Sequence, residues 1–432
     1  MQHFGVLTRY LVLPVLFVMI FGTAVVLSTR AYLQRQTFQT TTFREPQSID
    51  TLEAVKLGGW EQWLLIRGKD RRAPILLWLH DGPGGASDLV FSRAFEQSLT
   101  QRFVVVHWEQ RGTGKSFRDD LPANTMTLPR LRSDLSELVA WLRHRFQQPK
   151  IYLLGYAWGS TLGLWFAQQH PDQLHAYIGV SQILDWQQHL REAYTETLRR
   201  AKQTDRAEPI KELTQIGPPP YSSLLPLHTL RRWIAEFGGY FHKAPSFGKM
   251  FRASLSSPDY SLGDLFQSNK AYQFSSQHLL LSAVQQTNLR SIRHLRVPAL
   301  FLSGRYDLLT SGQQLEQFVQ QLQAPHKQLL WFEDAGYAPP PRRPRPLLQG
   351  PPRPPPPLRK NTTAHHPSFV VALFLPCLSP RFSPCFFSFL SPLRLFLFFD
   401  RRYTVGAVLS VPPHKPKGMG FHPMPRKGAL PP

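Results

Sequence analysis

The residues whose spacing could do chemistry cluster at glycine-rich turns, and the most informative of these turns carries a methyl group where an oxygen is expected. In Ile151-Tyr-Leu-Leu-Gly155-Tyr-Ala-Trp-Gly159-Ser160 an apolar run meets G-x-A-x-G and continues with helical spacing. A strand, a tight turn and a helix in that order lift the serine of a G-x-S-x-G turn clear of the backbone for attack on a carbonyl. The two glycines allow the sharp turn and the close approach of the helix. The middle residue is Ala157, and the hydroxyl of Ser160 lies further into the helix, pointing elsewhere. A chance strand-glycine-helix junction is the plain alternative for this turn taken alone.

Four other turns bear on the same chemistry. His80-Asp-Gly-Pro-Gly-Gly85 leaves an apolar strand, and a glycine-rich exit of that kind turns backbone N–H groups toward a substrate, as an oxyanion hole requires. Trp108-Glu-Gln-Arg-Gly-Thr-Gly-Lys-Ser116 lacks the spacing of a phosphate-binding loop, so nucleotide binding is not expected there. Phe301-Leu-Ser-Gly-Arg-Tyr-Asp307 places an acid after a late strand, where the carboxylate that orients a catalytic imidazole belongs; alone, Asp307 reads equally as a turn or capping residue. The imidazole itself should follow the next strand, Leu329-Leu-Trp-Phe-Glu-Asp-Ala-Gly336, but position 337 is Tyr.

The elements that must hold these turns follow from apolar patterning. Strands are expected at 60–67, 75–80, 103–108, 151–156, 176–181, 299–304 and 328–332, with helices at 128–146, 160–170 and 311–322. Strands alternating with amphipathic segments imply a largely parallel sheet covered by helices. Between Gln182 and about Arg290 the strand rhythm stops, and that stretch reads as a mostly helical insertion over one end of the sheet.

The ends of the chain differ from this centre. Leu11–Ser28 is an uncharged apolar run flanked by Arg9 and Arg30, about the length of a membrane span. A cleaved secretory signal competes with an anchor, but the run is long and no A-x-A site follows. Arginines on both sides leave the orientation open, with the main domain expected outside the cytoplasm. The net charge of +22 is uneven: residues 338–432 hold 14 Lys and Arg against the single acid Asp400. Both cysteines, Cys377 and Cys385, lie there too, so the rest has neither a disulfide nor a cysteine ligand for zinc. No repeat points to a solenoid. Twenty-three of the 40 prolines fall between Pro339 and Pro432, a density that cannot supply a helix. The abrupt change suggests a departure of the reading frame or gene model after Pro339; a polyproline II interaction tail is the alternative. No nucleic-acid motif accompanies the basic charge, and nucleic acid is not an expected partner.

Together the H-x-G-P-G-G turn at 80–85, Glu109-Gln-Arg-Gly-Thr-Gly-Lys-Ser116, Gly155-Tyr-Ala-Trp-Gly-Ser-Thr-Leu162, Gly304-Arg-Tyr-Asp307 and Phe332-Glu-Asp-Ala-Gly-Tyr-Ala-Pro339 resemble the proline iminopeptidase-like α/β-hydrolases. Stretches similar to HAYIGVSQ, IGPPPY and SPDYSL occur in one subgroup, and the likeness covers about Thr51 to Pro339. It implies an α/β-hydrolase fold: a mostly parallel eight-stranded sheet flanked by helices, with a helical cap. The expected organisation is an anchor at 1–30, a linker at 31–50, the hydrolase domain at 51–338 with its cap at 182–290, and a disordered or out-of-frame tail at 339–432.

The resemblance also implies hydrolysis of peptides, small amides or esters through an acyl-enzyme, with neither cofactor nor metal. By position, Ala157 stands for the nucleophile, Asp307 for the acid and Tyr337 for the base, while the amides of Gly82 and Trp158 match the oxyanion hole. Asp81 and Glu109 stand where the family usually has Gly and Asp. Family members bind the substrate amino group through acids in the cap; Glu192, Glu196, Glu212 and Glu236 are the ones available, and no substrate-binding residue is singled out. The losses at 157 and 337 leave a hydrolase framework without its chemistry, or a pocket that binds a peptide or small acyl ligand without turnover.

Overall fold

The computed structural model describes residues 13–84, 88–240 and 247–337. Helix α1 (Leu13–Thr41) precedes β1 (Ile49–Leu57), β2 (Trp60–Gly68) and β3 (Ile75–Leu79). After α2 (Leu89–Phe95), α3 (Gln97–Thr100) and β4 (Val104–Trp108) come α4 (Leu128–Arg145), β5 (Ile151–Tyr156), α5 (Trp158–Gln169) and β6 (Leu174–Val180). A helical stretch then runs through α6 (Trp186–Gln203), α7 (Ala207–Ile216), α8 (Leu224–Glu236), α9 (Phe247–Ser256), α10 (Leu262–Ser275) and α11 (Leu281–Gln286). β7 (Ala299–Gly304), α12 (Gly312–Gln321) and β8 (Lys327–Phe332) complete the described chain.

The eight strands form one sheet in the order β1-β2-β4-β3-β5-β6-β7-β8. β1 and β2 pair antiparallel, as do β2 and β4, and every pairing from β4 to β8 is parallel. All five residues of β3 and of β4 are buried, because helices cover both faces of the sheet there. The reading of 31–50 as linker meets two elements instead. α1 stays helical to Thr41, and Ile49 already begins an edge strand that pairs Leu57 with Trp60 across Gly58-Gly59. Both glycines have positive φ, 54° and 77°, the backbone that a two-residue hairpin turn needs.

Topology places the site. From β3 the chain steps to β4 on one side, then crosses back to β5 on the other, so the connections diverge between β3 and β5. Loops at the carboxyl ends of strands separate at such a point and leave a crevice. The 80–84 turn leaves β3 there and the 157 turn leaves β5 beside it. α4 and α5 pack against the sheet; α4 is capped by the Thr127 hydroxyl, which accepts from the Arg130 N–H, and buries Leu131, Leu135, Leu138 and Leu142.

The helices between β6 and β7 form a cap whose two ends are tied together. The Leu289 N–H donates to the Leu184 carbonyl at 2.6 Å, and Asp185 bridges Asn288. The first half of α1 is apolar and fully outward, with Phe17, Val18 and Ile20 all more than 60% exposed. Its second half docks: Arg30 donates to the Tyr260 carbonyl at 2.6 Å and Gln34 to the Ser257 carbonyl at 2.7 Å. The expected tail at 339–432 and both cysteines lie outside the described residues.

Candidate active site

The turn after β5 has the geometry that a presented nucleophile needs. Ala157 is fully buried, with φ 48° and ψ −110°, a conformation that costs a non-glycine residue roughly 1–3 kcal/mol. The flanking glycines are forced by packing: a Cβ on Gly155 would lie 2.6 Å from the Ser160 Cα, and one on Gly159 would run into the Leu79 carbonyl. The Ala157 N–H donates to the Val180 carbonyl at 2.9 Å, pinning the turn to β6. Ser160 is no substitute nucleophile. Its hydroxyl donates to the Ala157 carbonyl at 2.5 Å and accepts from the Ile183 N–H at 3.0 Å, so it is committed to holding the turn.

The two candidate oxyanion donors converge on one oxygen, which belongs to the protein. Oδ1 of Asp81 accepts from the Gly82 N–H at 2.7 Å and from the Trp158 N–H at 3.4 Å. The Asp81 side chain therefore occupies the point at which these two N–H groups converge. Burial raises the Asp81 carboxyl above the usual range, opposed by the Tyr337 hydroxyl, Arg231 and the two amides. His80 fixes this turn: its Nδ1 meets the Asp81 carbonyl and its Nε2 accepts from the Gln110 N–H at 3.3 Å. Burial lowers His80 to about 4, so it is a neutral strut whose two nitrogens are both engaged.

Tyr337 is buried in the same place but turned toward Asp81. Its hydroxyl acts on the charge of the Asp81 carboxyl, and its ring packs against Tyr156 and Tyr240 with centroids 5.4 and 5.5 Å apart. Burial first, then the charge of Asp81, pushes the phenol well above its ordinary range, so it keeps its proton and is no base. The Tyr337 carbonyl accepts from the Ser181 hydroxyl at 3.0 Å and the Tyr156 hydroxyl at 3.2 Å.

Asp307 is held by its own turn. Its Oδ1 accepts from the Leu309 and Thr310 N–H groups at 2.8 and 2.9 Å, its Oδ2 accepts from the Thr310 hydroxyl, and Ser181 stands beside it. Burial lifts Asp307 to about 6 against those hydrogen bonds. It meets the rest of the site through Ser181 and the Tyr337 backbone, with no imidazole to orient. The structure thus gathers Gly82, Trp158, Ala157 and Tyr337 around Asp81, and joins Asp307 at the rim. Residues that sequence reasoning passed over are Ser181, Tyr156, Tyr240 and Arg231; Tyr156 and Ser181 lie in stretches it quoted without giving them a role, and topology brings all four here. Among the described residues no group of three or more His, Cys, Asp and Glu is arranged to hold a metal.

The family described as alpha/beta hydrolase fold matches residues 74–338. The chain is similar to a Bacillus subtilis protein named as a probable aminopeptidase, YbaC, with 31% identity over 298 residues covering 68% of this chain and 93% of the relative. A proline iminopeptidase of Arabidopsis thaliana is 33% identical over 115 residues, 27% of each chain. Among solved structures, the proline iminopeptidase-related protein of Thermus thermophilus superposes with a TM-score of 0.47 at 19% identity, covering 67% of this chain and 91% of that one. The chain belongs to the α/β-hydrolase family, and within it to the proline iminopeptidase-like type.

Proposed function

We propose that this chain is a membrane-anchored hydrolase of that type which no longer turns over substrate. The observation that carries the reading is the buried methyl group of Ala157 in a strained turn, beside amide donors already filled by Asp81. Loss of the nucleophile or the base of a triad removes on the order of a millionfold in turnover, and loss of both removes little more because they act as a unit. The family likeness and the aminopeptidase relative support peptides or small amides and esters as the substrate class from which the pocket descends.

A second reading, a pocket that binds a peptide or small acyl ligand without chemistry, is favoured by the packing of Tyr337. Its hydroxyl and carbonyl are both engaged, which is a remodelled site and not a collapsed one. The deciding experiment is release of p-nitroaniline from aminoacyl p-nitroanilides by the full chain in detergent. Background rates are expected; saturable turnover well above them would remove the inactive reading. Saturable inhibitor-like binding without turnover supports the second reading.

Membrane attachment rests on α1, whose 15–41 segment is long and apolar enough to span a bilayer and whose apolar window is unburied. A signal sequence passes the same criterion. Retention of α1 in the mature chain, with resistance to alkaline extraction, is the expected outcome; an N-terminus beginning after Ser28 contradicts it. The side of the membrane is proposed to be extracytoplasmic.

A further inference from the structure

The four acids that the resemblance offered for an amino group are all committed within the cap or to its neighbours. Glu192 accepts from Gln188 and Gln314, Glu196 pairs with Arg199 and Arg200, Glu212 with Arg232 and Trp233, and Glu236 with Arg206. What the cap brings to Asp81 is a cation. Arg231, on α8, is 8% exposed, and among the described residues its Nε has no hydrogen-bond partner. Burial opposes its charge, and Tyr240, Tyr272, Asp81 and Tyr337 support it; Tyr240, Asp81 and Tyr337 belong to the site just described. A buried guanidinium whose Nε has no hydrogen-bond partner among the described residues is a ready partner for an anionic group. In that site the Gly82 and Trp158 N–H groups converge on a carboxylate oxygen that the chain itself supplies.

We propose that this site takes a carboxylate-bearing ligand, its anionic group set between the Arg231 guanidinium and the Gly82 and Trp158 N–H groups, in the place that the Asp81 carboxylate now occupies. Asp81 is then an internal competitor, a tethered carboxylate that marks the chemistry of the site and lowers its apparent affinity. Recognition is inverted relative to an aminopeptidase: the cap reads a negative end group where the family reads a positive one. The proposal rests on the pocket reading above but is tested separately, since it concerns affinity in proteins that keep Ala157.

The test is calorimetric titration of the full chain in detergent with benzoate, its neutral isostere benzamide and the cation benzylammonium. Asp81→Gly is expected to bind benzoate at least roughly tenfold more tightly than the parent, about the scale of one charge-assisted hydrogen bond, with benzamide unchanged. Adding Arg231→Gln should remove that gain, and Arg231→Lys should keep part of it. Asp81→Asn, which preserves the shape and weakens the occupant, should give a smaller gain and carries the test if the glycine variant does not unfold cooperatively. Benzoate binding no tighter in either Asp81 variant, an equal gain for benzamide, indifference to Arg231→Gln, or preference for benzylammonium each overturns the proposal. Failure of the hydrolase reading would instead appear as nitroanilide turnover by the parent.

Discussion

On the proposed reading, the turn after β5 and the turn after β8 have each lost a catalytic group, and in different ways. At Gly155–Gly159 the backbone is intact, strained φ included, and only an oxygen is missing from the side chain. At 333–337 the replacement is larger than an imidazole, and its surroundings have closed around it through Tyr156, Ser181, Tyr240 and Asp81. The first is a deletion that one atom reverses; the second is a repacking whose partners would be left unsatisfied. On the same proposal reversing both is not enough, because the Asp81 carboxyl accepts from the Gly82 and Trp158 N–H groups proposed as oxyanion donors.

The largest effect follows from that. Ala157→Ser with Tyr337→His and Asp81→Gly is expected to raise nitroanilide turnover at least about a thousandfold over the parent, whereas the pair without Asp81→Gly should stay within about tenfold of it. Equal rescue by the pair and the triple variant would mean that Asp81 moves aside freely. Next comes Asp307. Its folded-state value of about 6 lies above the ordinary 3.8, so the native state holds a proton that the unfolded chain has released. The associated stability is complete below about pH 4 and lost as pH rises through 6, on the order of 2–3 kcal/mol. Denaturant unfolding of the parent should show this fall relative to Asp307→Asn; parallel curves would refute the burial argument.

Smaller effects separate the two turns. Tyr337→Phe leaves the Asp81 carboxylate short of a donor and should cost about 1–3 kcal/mol by chemical denaturation. In the β5 turn the expectation reverses, since glycine relieves a positive φ. Ala157→Gly should be neutral or slightly stabilising in thermal melts, while Ala167→Gly in the body of α5 costs about 1 kcal/mol. A clear loss at 157 would place the preserved shape of the turn on packing of the methyl group.

What the sequence made legible divides along physical lines. β5 lies at 151–156 as expected, and β3, β4 and β7 fall within a residue or so, because strands buried on both faces are unbroken apolar runs. β1 went unread because Ile49–Leu57 is an edge strand with alternating exposure and several charges, although Leu57-Gly-Gly-Trp60 carries a hairpin signal. The helical cap was visible from the loss of strand rhythm. The positions of Ala157 and Tyr337 were legible because local motifs fix them. That Tyr337 would face Asp81 and not Asp307, and that Arg231 would stand near both, depends on how the cap folds back over the sheet, which no local pattern encodes.

We propose that position 157 is a nucleophile site kept in shape and emptied of chemistry. Fluorophosphonate labelling followed by intact mass and peptide mapping tests it most directly. The account predicts no adduct on the parent and a single stoichiometric adduct at position 157 in the Ala157→Ser, Tyr337→His, Asp81→Gly protein. An adduct on the parent, or labelling of the triple variant at any other residue, would contradict it.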